Sequence, residues 1–295
     1  MIGAVGAAGL NGIIESAGLT GFISPSASLV ELLGYQFFQN AILGGLAAGF
    51  ACAWIGLFLV LRREAMIVDG VAHTAFGGVA LGLLLGIDPL ITALGISIVS
   101  VFGISHMKRK GLAESDSAIA LMLAVGFSTG LIIISIAGGF SVDLFSYLFG
   151  SILTISRSDL LMILVLGMVI ISFLTIFHKE LLAITFDERG ARMMGIPVNA
   201  ILTMFNLIVA ITITLSIKII GIILVVALIV IPALTALQLR ASFAKTITST
   251  VLIGLASVVA GIMVSTFYNV ATSGVIVFTM VLIYLVTTAL ARRGK

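Results

Sequence analysis

The sequence predicts an all-α polytopic membrane protein with about eight or nine transmembrane helices. Of its 295 residues, 61% are hydrophobic and only 9% are charged, and the mean hydropathy is +1.33. Both values lie outside the range of soluble globular proteins. The net charge of +3 comes from scattered basic residues rather than from a cluster, so it does not indicate nucleic-acid binding.

Apolar runs of about 20 residues, the length that crosses a bilayer, recur along the chain. Residues 36–295 therefore form a single transmembrane domain, and residues 1–35, rich in Gly, Ala and Ser, a peripheral or interfacial segment. Residues 140–157 predict a re-entrant or interfacial helix. The spans are predicted at 36–61, 65–86, 89–106, 117–138, 159–178, 197–217, 220–239, 246–267 and 271–290. The break near Lys218 and Gly221 rests on length alone.

The distribution of basic residues predicts the orientation. With the N-terminus outside, thirteen of the fifteen Lys and Arg residues fall on the cytoplasmic side, as the positive-inside rule requires. Only Arg157 and Lys218 then lie outside. An arrangement of eight spans with an internal N-terminus remains open. The thirteen are Arg62, Arg63, Lys108, Arg109, Lys110, Lys179, Arg189, Arg192, Arg240, Lys245, Arg292, Arg293 and Lys295.

Two ionisable residues, Asp69 and His73, lie inside the second predicted span. An ionisable residue costs about 2.5–3.5 kcal/mol at membrane depth, which makes it a candidate functional group. The spacing of four residues puts both side chains on one helical face, where an oxygen and a nitrogen can bind one ion. That donor pair suits Mn, Zn or Fe better than Ca. The alternatives are a structural hydrogen bond and a proton relay.

Three glycines follow the pair at every fourth residue, Gly78, Gly82 and Gly86. This spacing predicts a seam along which another helix approaches closely, and it is equally typical of ordinary close packing.

The longest polar connection, residues 180–196, predicts a cytoplasmic segment with a short amphipathic helix. Asp187 caps this helix, which runs to Met194 and ends at Gly195 before Pro197. The segment is either a solvated connector or a docking helix, because exposed Met and Phe side chains favour a partner surface.

Two further patterns limit the function. "GFSTG", residues 126–130, matches the nucleophile elbow of serine hydrolases, but it lies within a continuous helical span, so an intramembrane protease is a minor alternative. The sequence has no Walker A pattern, so the chain does not bind ATP through a P-loop of its own.

Its one cysteine, Cys52, lies in an apolar run and predicts a packing role.

Four segments, in order, resemble the permease subunits of ATP-binding-cassette importers for zinc, manganese and iron. "GLFLVLRREAMIVDGVAHTAFGGVALGLLLG" resembles the family segment in which a basic pair precedes an Asp and His motif. The others are "SYLFGSILTISRSDL", "FDERGARMMGI" and "GIILVVALIVIPALTA". The sequence departs from the family at Val68, Gly70, Val71 and Ala72, but Asp69 and His73 are retained.

The resemblance implies a fold like that of cobalamin and siderophore importers, in a bacterial or archaeal cell membrane. It implies a homodimer with a separate cytoplasmic ATPase and an extracytoplasmic metal-binding protein, and therefore a transport permease rather than an enzyme. The transported ion is Mn, Zn or Fe, with no intrinsic cofactor. A permease for cobalamin or siderophores is the rival, but those cargos do not need Asp69 and His73. The residues implied to contact the ATPase are Asp187, Glu188, Arg189, Arg192, Met193 and Gly195.

Overall fold

The structure is a computed structural model that describes residues 36–138, 147–148, 150, 157–268 and 270–293. The segment predicted at 1–35 lies outside these residues, as does most of the re-entrant segment predicted at 140–157. Contacts divide the chain into two units, Met1–Gln39 and Asn40–Lys295. Nearly all of the described residues belong to the second unit.

Within the described residues the chain forms eleven helices. They are α1 Gln36–Leu61, α2 Met66–Leu85, α3 Pro89–Arg109, α4 Ser115–Ile136, α5 Arg157–Ile176, α6 His178–Phe186, α7 Glu188–Met193, α8 Val198–Ile220, α9 Ile222–Gln238, α10 Phe243–Tyr268 and α11 Thr272–Arg293.

The helices confirm the predicted class of a multi-pass membrane protein. Seven of those described, α1 to α4, α8, α10 and α11, are long and apolar enough to cross a bilayer. Most of α5 together with α6 forms an eighth candidate, bent by 65°, and α9 is a shorter apolar helix of 17 residues. Each predicted span therefore corresponds to a helix.

A single glycine divides the long apolar stretch at 197–239. Helix α8 ends at Ile220 and α9 begins at Ile222, and Gly221 between them has φ 82° and ψ 160°, a conformation that strongly favours glycine. Gly150 packs directly on this break, since a Cβ there would lie 2.5 Å from the carbonyl carbon of Ile220. The split predicted near Gly221 is confirmed.

The connection at 180–196 contains more helix than the sequence predicted. The short helix is present as α7, but α6 precedes it and turns away from α5 at Phe177. Leu181 and Ile184 of α6 are buried. Their burial makes this half of the segment part of the packed protein instead of a solvated connector.

Helix α2 lies at the centre of the packing. Over an apolar stretch of 18 residues, 72% of the residues of α2 are buried, against 11% over the same length of α11. Helix α2 packs mainly on α3 and α4, with further contacts to α8 and α9. Hydroxyl groups join other helices, as Thr214 donates a 2.9 Å hydrogen bond to Ser97. Cys52 is fully buried, with its sulfur 3.6 Å from the hydroxyl of Ser216.

Candidate functional site

Helix α2 carries both ionisable residues near its beginning. It starts at Met66, and Ala65 before it provides no side-chain cap. Asp69 lies in the first turn, where the helix dipole favours a negative charge. His73 follows one turn later on the same face, as the spacing predicts.

The two side chains approach each other closely. The Nε2 atom of His73 lies 3.4 Å from Oδ1 of Asp69. Two donors that each bind one ion at about 2.0–2.2 Å, with about 110° between the bonds, are separated by roughly 3.4 Å. The spacing in the structure therefore matches what a shared ion needs.

The pair occupies the only open positions on this part of α2. From Ile67 to Ala80 every residue is buried except Asp69 and His73, whose side chains are 35% and 29% exposed. The helices around α2 cover its other faces. The carboxylate and the imidazole therefore form a polar strip that faces outward from an otherwise enclosed helix.

Aromatic rings surround the imidazole on one side. The ring of Phe127 lies edge-to-face against His73, with centroids 5.2 Å apart and an interplanar angle of 84°. Phe76 in turn contacts Phe127, with centroids 5.7 Å apart. The Nδ1 atom of His73 is buried and makes no hydrogen bond within the described part of the chain.

Glycines explain why the rest of α2 is enclosed. A Cβ on Gly77 would collide with the carbonyl oxygen of Gly126 in α4. On the opposite side, a Cβ on Gly78 would lie 2.6 Å from the Cα of Ala93, and one on Gly82 would lie 2.7 Å from the Cα of Pro89. Neighbouring backbones therefore reach α2 on two sides.

The packing role predicted for Gly86 is wrong. A Cβ at Gly86 would meet no atom of the described residues within 4 Å. Its φ of 66° instead lets it end α2, with its N–H bonded to the carbonyl of Gly82. Gly86 thus continues the four-residue spacing of Gly78 and Gly82, but its role is to end the helix.

The short helix α7, predicted to be cytoplasmic, has the predicted cap. The Asp187 carboxylate accepts a 3.0 Å hydrogen bond from the Gly190 N–H, and Gly195 follows the helix with φ 82°. Glu188 and Asn199 both accept hydrogen bonds from Arg192, at 2.8 and 2.9 Å.

Large apolar side chains at both ends of this helix are left uncovered by the described residues of the chain. Phe186, Met193 and Met194 are 78%, 84% and 69% exposed. Arg189 is also exposed. The surface around α7 thus combines charged groups with flexible apolar ones.

The serine of the "GFSTG" segment lies in the middle of α4, a regular helix. Ser128 donates to the carbonyl of Val125 at 3.2 Å and is exposed. The strand-to-helix turn that gives the motif its catalytic geometry is therefore missing at this segment.

Three residues near the site were not predicted. Gly77 and Phe127 are unremarkable in an apolar sequence, because glycine and phenylalanine are frequent in such helices. Glu64 was also missed, although it contacts both Arg62 and Lys108 at 2.9 and 2.7 Å. An acidic residue directly after a basic pair, at the end of a span, is the signal that could have revealed it.

One chain supplies a small ligand set. Among the described residues, no group of three or more His, Cys, Asp or Glu side chains is arranged to hold a metal ion. Asp69 and His73 alone offer one oxygen and one nitrogen donor, fewer than the four ligands that zinc usually takes.

The family model of the ABC 3 transport family matches residues 34–291. The manganese transport system membrane protein MntC of Halalkalibacterium halodurans is 31% identical over 247 residues, covering 84% of this chain and 85% of that protein. The manganese import system permease protein ScaB of Streptococcus gordonii is 31% identical over 261 residues, covering 88% and 94%.

A solved structure has a similar fold. The structure of PsaBC from Streptococcus pneumoniae in complex with Fab matches with a TM-score of 0.78 and 30% sequence identity, covering 88% of this chain and 95% of that one.

Proposed function

This chain belongs to the ABC 3 transport family, and from that premise we propose that it is the permease of an ATP-driven importer of divalent Mn, Zn or Fe. The observation that carries the proposal is the Asp69 and His73 pair, with its 3.4 Å separation on the open strip of a buried helix. The names of MntC and ScaB, both manganese permeases, support a metal cargo. The protein is then a transport subunit, and a separate ATPase hydrolyses ATP.

The cargo ion passes along the outward-facing strip of α2, at the interface between two copies of the chain. The two-ligand set of one copy favours this arrangement, because the second copy or water supplies the remaining ligands. Since α2 is enclosed on its other faces, the strip is the side from which an ion reaches the pair. A site with few protein ligands also releases its ion readily, as transport requires.

The cytoplasmic ATPase docks on the surface formed by Phe186, Met193, Met194 and the charged residues of α7. Exposed methionines adapt to a partner surface, and several large apolar side chains exposed on one short segment are typical of an interaction site. Asp187, Glu188, Arg189, Arg192 and Gly195 give this surface its charge and its shape. An extracytoplasmic metal-binding protein delivers the ion from the other side.

The rival functions lack comparable support. A cobalamin or siderophore cargo does not require a carboxylate and an imidazole at this depth in the membrane. An intramembrane protease requires Ser128 as a nucleophile, but this serine belongs to a regular exposed helical turn.

Metal accumulation in cells that express the whole transporter tests the proposal. We expect Asp69→Ala and His73→Ala, made separately, to lower accumulation at least about tenfold, as loss of a metal ligand or its supporting contacts usually does. Ser128→Ala is the matched control in the neighbouring helix and is expected to transport normally. Unchanged accumulation in the first two variants, at normal membrane levels of the protein, would refute the site.

A further inference from the structure

The segment "GFSTG" at 126–130 has a defined place in the structure although it is not a nucleophile elbow. Its two glycines bring α4 into backbone contact with α2. A Cβ on Gly126 would lie 2.6 Å from the Cα of Thr74, and one on Gly130 would lie 3.1 Å from the Cα of Gly77. Phe127 lies between these contacts, and its ring is therefore held against the α2 surface that carries His73.

We propose that Phe127 is a positioning residue that holds the His73 imidazole with its Nε2 atom directed at Asp69. This inference rests on the proposed metal-transport function and extends it to a residue outside the ligand pair. The ring of Phe127 contacts the imidazole edge-to-face, at 5.2 Å and 84°. Aromatic pairs prefer this arrangement, because the positive edge of one ring meets the negative face of the other.

The imidazole needs such a contact because its second nitrogen does not orient it. A metal-binding histidine usually donates its other N–H to a carboxylate, a carbonyl or water, which sets the ring orientation. Here Nδ1 of His73 is buried and makes no hydrogen bond to any described residue. Packing against Phe127 instead orients the His73 ring, as a hydrogen bond to the second nitrogen does in other metal sites.

Phe127 itself is well fixed. Its ring is in tilted contact with Phe76, at 5.7 Å and 34°, and Phe76 is only 1% exposed. The backbone on both sides of Phe127 cannot move away from α2 without losing the contacts of Gly126 and Gly130. The packed interface of α2 and α4 thus fixes the ring of Phe127, and this ring in turn orients the imidazole.

Co²⁺ titration of the full-length chain in lipid nanodiscs tests this role. The visible absorption of Co²⁺ reports both its affinity and the geometry of its ligands. We expect Phe127→Ala and Phe127→Leu to weaken Co²⁺ binding roughly 2- to 10-fold, the effect of one aromatic pair on an equilibrium constant. Both variants should also alter the absorption bands, whereas Phe127→Tyr, which keeps the ring, should restore affinity and spectrum.

A matched control separates positioning from general packing. Phe50 contacts Trp54 in α1 with nearly the same geometry, 5.2 Å and 89°, but it does not touch the pair. Phe50→Ala should leave affinity and spectrum unchanged. Phe127→Leu tests the contact with most of the apolar volume kept, so that misfolding of the alanine variant does not decide the result.

The outcomes distinguish the two levels of the proposal. If Asp69→Ala and His73→Ala abolish the Co²⁺ spectrum while Phe127→Leu leaves affinity and bands at wild-type values, the positioning role is wrong and the metal site stands. If Asp69→Ala and His73→Ala leave the wild-type spectrum intact, or the wild-type chain gives no Co²⁺ spectrum, the metal site is wrong and the role of Phe127 is wrong with it.

Discussion

The carboxylate of Glu64 accepts a 2.7 Å hydrogen bond from the ammonium group of Lys108, forty-four residues further along the chain. The same carboxylate forms an ion pair with the guanidinium group of Arg62, at 2.9 Å. One carboxylate therefore joins the end of α1, the start of α2 and the end of α3. The contact puts two of the predicted cytoplasmic basic groups on the same side of the protein. It also fixes the loop from which the helix of Asp69 begins.

Glu64→Gln should destabilise the protein. The side chains of Arg62 and Glu64 are only 8% and 12% exposed, and the loss of one member of a buried ion pair costs about 3 kcal/mol or more. We expect the thermal unfolding midpoint of the purified chain to fall by roughly 5–10 °C. Glu188→Gln is the control, because its pair with Arg192 is half exposed and contributes at most about 1 kcal/mol.

Gly77→Ala should loosen the contact between α2 and α4. The new methyl group would meet the carbonyl oxygen of Gly126, and such overpacking typically costs about 1–3 kcal/mol. Thermal unfolding and the yield of folded protein measure the effect. In Gly95→Ala in α3, the new methyl group meets no described residue within 4 Å. This variant should be neutral or slightly stabilising, since alanine favours helix. Equal behaviour of the two variants would contradict the assigned packing.

Arg189→Glu combined with Met193→Ala should weaken attachment of the ATPase. The double variant reverses one charge and removes one exposed apolar group on the proposed docking surface. Co-purification of the ATPase with the tagged permease is the measurement. Lys245→Glu changes another exposed charge that is predicted to be cytoplasmic and serves as the control. The docking proposal fails if the double variant retains as much ATPase as the wild type.

Asp187→Ala should fray α7. The carboxylate of Asp187 caps the helix by accepting from Gly190, and loss of such a cap costs about 0.5–2 kcal/mol. Faster hydrogen exchange of the amides at 188–193 and weaker ATPase binding are expected. Asp187→Asn keeps a side-chain oxygen at the cap and should behave like the wild type. If the amides at 188–193 exchange equally fast in the Asp187→Asn and Asp187→Ala variants, the cap does not stabilise α7.

The sequence predicted best where one local rule decides the structure. Apolar run length predicted the spans, and an Asp before an amphipathic turn predicted the cap at Asp187. Prediction failed where residues distant in the sequence decide the packing. Gly86 shares the four-residue period of Gly78 and Gly82. The glycines that pack are those that meet Ala93 and Pro89, and the sequence alone does not position these two residues. The partners of Gly77 and His73 lie in α4, so the enclosure of α2 and the contact with Phe127 follow from tertiary packing alone.

The buried thiol of Cys52 makes the native protein a ready background for site-directed labelling. It is the one cysteine of the chain, and it is fully buried beside Ser216, so a maleimide should modify it only after denaturation. A cysteine introduced at Lys245, an exposed residue outside the proposed docking surface, would then carry the sole accessible thiol. Spectroscopic probes attached there can report movement at the start of α10 without prior removal of the natural cysteine.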